Sequence, residues 1–122
     1  MEKIINLTQH RPTQEQLDAG VLEPAEGTKK EVRELLTFNE LPTKVEIRGR
    51  AEQLTLIAKK SGVSKALIGG APYLMGALEN ALKAKGIQPL YAFSKRVVTE
   101  VALPDGSVEK KQIFKHEGFI EA

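Results

Sequence analysis

Three short stretches of this chain carry side chains that could do chemistry together. The first is Thr8-Gln9-His10-Arg11, polar and cationic, directly after an apolar run. The second is Gly69-Gly70-Ala71-Pro72, a small-residue turn after Ala66-Leu67-Ile68. The third is Ser94-Lys95-Arg96, after the apolar Leu90-Tyr91-Ala92-Phe93. The outer two supply positive charge and hydrogen-bond donors without a carboxylate. The middle one supplies a turn that lets a backbone come close, followed by a proline suited to the first position of a helix. Donors and cations without acids are the chemistry of an anion site, most simply one for phosphate.

Other chemistries find less support. The chain contains no cysteine, and its only histidines are His10 and His116. Neither has an acid at metal-ligand spacing, which argues against zinc, and no metal or cofactor is expected. No serine stands in a nucleophile elbow, and no acidic cluster suggests magnesium-dependent phosphoryl transfer. Gly69-Gly70 is neither a dinucleotide fingerprint nor a P-loop. Each stretch also has a plain structural reading. The glycines could serve a tight turn, His10 could cap the next helix, and Lys95-Arg96 could be a solvated strand end.

The elements must bring the three stretches to one place. At 122 residues and 41% apolar content, a single domain spanning 1–122 is expected. Residues 3–7 read as a buried strand. Thr13 with Gln16 reads as a capping box opening a helix to Ala19, ended by Gly20. Residues 21–27 read as a loop. Thr28 with Glu31 and Thr43 with Glu46 read as two further boxes, opening helices that run to Leu36 and to about Lys60. Residues 65–68 form a second strand, Pro72 opens a helix ending near Gly86, and residues 88–93 form a third strand, closed by Ser94-Lys95-Arg96. Residues 97–103 and 108–114 make a hairpin about Asp105-Gly106, and Gly118-Phe119-Ile120 packs back onto the sheet.

Strands alternating with helices imply parallel pairing, so the expected fold is α/β: a compact Rossmann-like parallel sheet with a C-terminal antiparallel β-hairpin. In such a sheet the three stretches share the edge formed by the strand carboxyl ends, where ligands bind. The net charge of +2 and pI of about 8.9 are too mild for a protein that coats long nucleic acid. Lys95, Arg96, Lys110, Lys111, Lys115 and His116 cluster in the last third, which fits a local anion or a solvated hairpin face. The chain opens on its first strand, and no apolar run is long enough to span a bilayer, so no membrane association and a cytoplasmic location are expected.

In layout the chain resembles the small standalone CARF (CRISPR-associated Rossmann fold) proteins, which include ring nucleases. The likeness lies in Asn6-Leu7-Thr8-Gln9-His10 followed by Thr13 and Gln16, in Gly69-Gly70-Ala71, in Leu90 to Phe93 with Ser94-Lys95-Arg96, and in Phe114-Lys115-His116 with Phe119. The resemblance implies a homodimer binding a cyclic oligonucleotide of antiviral signalling across its two-fold axis. Cleavage would use a ribose 2′-hydroxyl of the ligand itself, without metal. Thr8, Gln9, His10 and Arg11 would hold the ligand, Gly69, Gly70 and Ala71 would present amides, and Ser94, Lys95 and Arg96 would bind phosphate. Lys95 or Arg96 would stabilise charge. The turn has no polar side chain before Tyr73, so sequestration without cleavage is as reasonable as a nuclease. The rival expectations are an interaction protein pairing through its exposed hairpin, and an enzyme acting on a mononucleotide or sugar phosphate.

Overall fold

The computed structural model describes residues 2–122. The elements are β1 (Ile4–Leu7), α1 (Gln14–Asp18), β2 (Val21–Leu22), α2 (Glu26–Leu36), α3 (Lys44–Lys60), β3 (Lys65–Ile68), α4 (Pro72–Ala84), β4 (Gln88–Ala102) and β5 (Val108–Glu121). They build one sheet in the order β2-β1-β3-β4-β5. The first four strands are parallel, and β5 is antiparallel to β4. The chain therefore steps outward from β1 to β2, then back across β1 to β3 and β4. The order of construction reverses between β1 and β3, and open parallel sheets bind ligands at such a reversal.

Alternation along the strands sorts the core. Ile5 and Leu7 of β1, and Ala66 and Ile68 of β3, pack under Val32, Leu35 and Leu36 of α2, Ala51, Leu54 and Ala58 of α3, and Leu74, Leu78 and Leu82 of α4. The intervening residues, Ile4, Leu67 and Leu90, join Val21 and Phe119 in a smaller cluster on the other face. Each fully buried leucine contributes about 1.5–3 kcal/mol, which the helix-covered face supplies many times over.

Four expectations change. Val21–Leu22 is a strand rather than a loop: Gly20, at φ +108°, turns the chain, and Val21 and Leu22 pair with Ile4 and Ile5. Two residues are too few to show a period. The second helix begins at Glu26, after Ala25 and without a side-chain cap, so Thr28 and Glu31 lie inside it and form no box. Thr43 does cap α3 by accepting from the Glu46 amide, but the Glu46 carboxylate turns to Arg50 instead of completing the box. The Thr13–Gln16 box forms in both directions.

The largest correction concerns Ser94-Lys95-Arg96. They do not close a strand; β4 runs through them without a break to Ala102. Beyond Leu90 it leaves β3 and pairs only with β5. A bulge falls here, with Phe93 opposite Gly118 and Ser94 opposite His116, so Glu117 is the extra residue. Past it the two strands form a ribbon that extends beyond the carboxyl edge of the sheet. Gly118, Phe119 and Ile120 return to the sheet as the last part of β5.

Tyr91 ties β4 to α4, its hydroxyl donating to Glu79 Oε2 at 2.6 Å. Burial, with the Glu79 carboxylate beside it, pushes the phenol up to about 12. The folded state thus holds this proton above the pH at which the unfolded chain releases it, so the contribution is complete below about pH 10 and is lost as pH rises toward 12. In urea titrations, wild-type stability is expected to fall across that interval, and Tyr91→Phe to fall less. The absorbance step of phenolate formation near pH 12 is expected to be missing from the variant.

Candidate functional site

The exit of β1 is organised by Asn6. Its flanking residues Ile5 and Leu7 face the helices, so its own side chain turns to the other side, where it is only 3% exposed. A buried carboxamide needs partners for two donors and its acceptor oxygen. Asn6 Nδ2 donates to the His10 carbonyl at 2.9 Å and to Glu23 Oε1 at 2.6 Å. Its Oδ1 accepts from the Thr8 amide at 3.0 Å and the Thr8 hydroxyl at 2.7 Å. The His10 amide donates back to Thr8 Oγ1 at 3.2 Å. Residues 8–10 are therefore wound around one side chain, which points Gln9, His10 and Arg11 outward.

The network continues into α2. Glu23 Oε2 lies 2.6 Å from Lys29 Nζ, with the Lys29 and Glu23 side chains both largely covered. Beside this pair opens a cleft of about 260 Å³, lined by Asn6, Thr8, Gln9, His10, Arg11, Glu23, Pro24, Lys29, Val32 and Arg33. Three full cations line it against one carboxylate. Glu23 is committed to Lys29 and Asn6, whereas His10, Arg11 and Arg33 form no ion pair among the described residues. The cleft thus holds uncompensated positive charge, with two guanidinium groups able to grip an oxyanion by paired hydrogen bonds.

Arg33 also faces outward to a shallow depression shared with Thr37 and Asn39. Asn39 in turn borders an apolar hollow of about 520 Å³ containing Phe38, Leu41, Pro42, Ile47 and Tyr73. There Tyr73 meets Phe38 edge to face at 5.2 Å, and the Arg50 guanidinium lies 4.1 Å from the Phe38 ring centre. Tyr73 remains 54% exposed and Leu41 95%. The cationic cleft and this aromatic surface are thus linked through Arg33 and Asn39.

Of the residues expected from sequence, Thr8, Gln9, His10 and Arg11 line the cleft. Gly69, Gly70 and Ala71 do not line it, and of the three only Gly69 comes against a lining residue. A Cβ built at Gly69 would stand 3.5 Å from Thr8 Cγ2, so the β1 and β3 exits touch. Gly70 has φ +153° and lies against Met75 and Leu36, a conformation that calls for glycine. Pro72 brings no N–H, and the Leu74 and Met75 amides already donate to the Ala71 carbonyl, so the start of α4 offers little beyond the Tyr73 amide. Ser94, Lys95 and Arg96 are on the ribbon and do not line the cleft. Successive strand residues point to opposite faces. Accordingly, Lys95 stands opposite Lys115 on one face, and Arg96 lies 5.6 Å over the Phe114 ring on the other. His116 packs on Phe119 at 4.8 Å, its Nδ1 buried without a partner. No group of three His, Asp or Glu side chains able to hold a metal occurs among the described residues.

Asn6, Glu23, Lys29 and Arg33 were not expected here. An asparagine inside the apolar run Ile4–Leu7 was the available signal for the first. Lys29 and Arg33, four apart on one helix, share a face by spacing, but placing that face depended on seeing β2.

The chain belongs to a family described as the Uncharacterized protein MJ1673 family, whose model matches residues 2–120. No curated protein and no solved structure matches it. No helix among the described residues is long and apolar enough to cross a membrane.

Replacing Asn6 by Ala is expected to destabilise the fold by about 1–3 kcal/mol, because it strands the Thr8 amide and the buried side of Glu23. Urea denaturation checks this. A loss near zero would mean that the loop is held by something else.

Proposed function

We propose that this chain is a Rossmann-like nucleotide-binding protein that takes the phosphate of its ligand at the cleft between the β1 exit and α2 and a base on the Phe38–Tyr73 surface. The carrying observation is the pair of guanidinium groups without an ion-pair partner among the described residues, Arg11 and Arg33, together with the His10 imidazole, beside a carboxylate already committed to Lys29. The aromatic hollow reached through Arg33 and Asn39 favours a nucleotide over inorganic phosphate or a sugar phosphate, since an exposed tyrosine face stacks any base. Among nucleotides we favour a cyclic oligonucleotide bound by a homodimer, the class that the CARF-like layout implies. Antiviral signalling and a cytoplasmic setting belong to the same reading.

Sequestration fits the geometry better than cleavage. A ring nuclease needs charge stabilisation at the scissile phosphate, and Lys95 and Arg96 sit on opposite faces of the ribbon. Only one of them can face a given ligand. If cleavage occurs, the ligand's 2′-hydroxyl attacks the adjoining phosphorus, the 5′-oxygen leaves with a proton, and a 2′,3′-cyclic phosphate results. Here the protein supplies orientation and positive charge.

Thermal-shift and calorimetric titration against cyclic di-, tri- and tetranucleotides, with mononucleotides and inorganic phosphate alongside, tests the reading. One cyclic nucleotide is expected to stabilise the protein and to be recovered intact by chromatography. Linear products would make the protein a nuclease, and a response to mononucleotides alone would make it an enzyme or binder of those. No response to any nucleotide would refute the proposal. Arg11→Ala and Arg33→Ala should each weaken binding about tenfold or more by removing a charged hydrogen bond. Tyr73→Ala should weaken nucleotide binding by about 1–3 kcal/mol while leaving any affinity for inorganic phosphate unchanged.

A further inference from the structure

The ribbon formed by β4 and β5 past the sheet edge poses a physical problem. A two-stranded hairpin is marginal in water, and three or more strands are needed for independent stability. This ribbon pairs with nothing else: beyond Leu90, β4 has only β5 as a neighbour, and β5 is the last strand of the sheet. Both its faces carry exposed apolar groups, among them Val98, Val108, Ile113 and Phe114, the last 70% exposed. Lys95 and Lys115 face each other across it, a like-charge pairing that destabilises a sheet, and neither forms an ion pair among the described residues. The free edge, the apolar faces and the uncompensated lysines all point to a missing neighbour.

We infer that the neighbour is the β5 strand of a second copy, paired antiparallel about Gln112, so that two ribbons merge into one four-stranded sheet. The register follows from symmetry and charge. A two-fold axis normal to a continuous sheet keeps facing residues on one side, so it must pass through a single residue of β5. An axis at Lys110, Lys111 or Lys115 sets like charges against each other. An axis at Ile113 sets Lys111 against Lys115 and Glu109 against Glu117. Axes at Gln112 and Phe114 avoid such clashes. An axis at His116, and the Lys111–Glu117 pair that an axis at Phe114 would make, both rely on Glu117, the bulged residue where regular pairing is interrupted. Of the Gln112 and Phe114 axes, only the Gln112 axis places a carboxylate opposite Lys115: Glu109 of the second copy completes the row Lys95–Lys115–Glu109, twice by symmetry. The same register sets Lys110 against Phe114, on the face where Arg96 already covers that ring.

Backbone hydrogen bonding agrees. The Leu103 amide donates to the Ser107 carbonyl at 2.8 Å, and pairs that exchange such bonds recur at every second residue. Residues 109, 111, 113 and 115 therefore turn their N–H and C=O groups toward β4. Residues 108, 110, 112 and 114 turn theirs to the free edge, so Gln112 can bond directly to its own symmetry mate.

Because the chain has no cysteine, single-cysteine variants read the register. Sedimentation equilibrium without nucleotide is expected to show a dimer. Under mild oxidation, Gln112→Cys should give a covalent dimer, with Phe114→Cys at least about tenfold less efficient, since only residues on the axis come within disulfide reach of their mates. Glu109→Lys should weaken the dimer about tenfold, and the double exchange Glu109→Lys with Lys115→Glu should restore it. Circular dichroism confirms folding in each case. A monomer at high micromolar concentration would overturn the inference, as would preferred cross-linking at Phe114 or failure of the double exchange to rescue. All readouts are taken without ligand, so they stand or fall separately from nucleotide binding.

Discussion

A single buried carboxamide, that of Asn6, holds together the part of this molecule in which chemistry could occur. Four hydrogen bonds converge on it, two from the loop it winds and one each to the His10 carbonyl and to Glu23. Through Glu23 the same network fixes Lys29 and with it the first turns of α2. Its cost is the desolvation of a polar group beside the core, which is recovered only because every donor and acceptor is used. The geometry of the β1 exit then follows: the loop is closed tightly enough to touch Gly69, and Arg11 beyond it lines the cleft with Arg33 of α2.

The molecule divides its work between a packed body and a projecting ribbon. In the body, three helices on one sheet face enclose the apolar core, and a crevice opens between the β1 exit and α2. The ribbon has no such core. Its strands are held by their mutual ladder, and its side chains alternate between two solvent-facing surfaces. Stability comes from the first part, whereas the second exposes apolar groups and carries lysines, Lys95 and Lys115, without an ion-pair partner among the described residues.

Much of the body was legible in the sequence because its signals are local. The apolar runs of β1 and β3, the Thr13–Gln16 box and Pro72 at the start of α4 each mark an element through its own residues. What was hidden depends on distant partners. Val21–Leu22 is a strand only because β1 lies beside it. Thr28–Glu31 has a capping pattern, yet the helix had already begun at Glu26. Ser94-Lys95-Arg96 reads as a polar strand end when its partner is unseen, while the Phe114–His116 segment opposite keeps the ladder going. Of the site, the cationic loop at residues 8–11 was legible; the α2 side, with Lys29 and Arg33, was not, because its placement required the unseen β2.

The most direct measurement is an amide chemical-shift map of the labelled protein titrated with the cyclic nucleotide that stabilises it best. Saturating shifts are expected at Thr8 to Arg11, Gly69, Arg33 and Tyr73, joined by the Asn6 and Arg33 side-chain signals. Shifts confined to residues 94–116, or scattered without reaching the β1 exit, would contradict binding at the cleft.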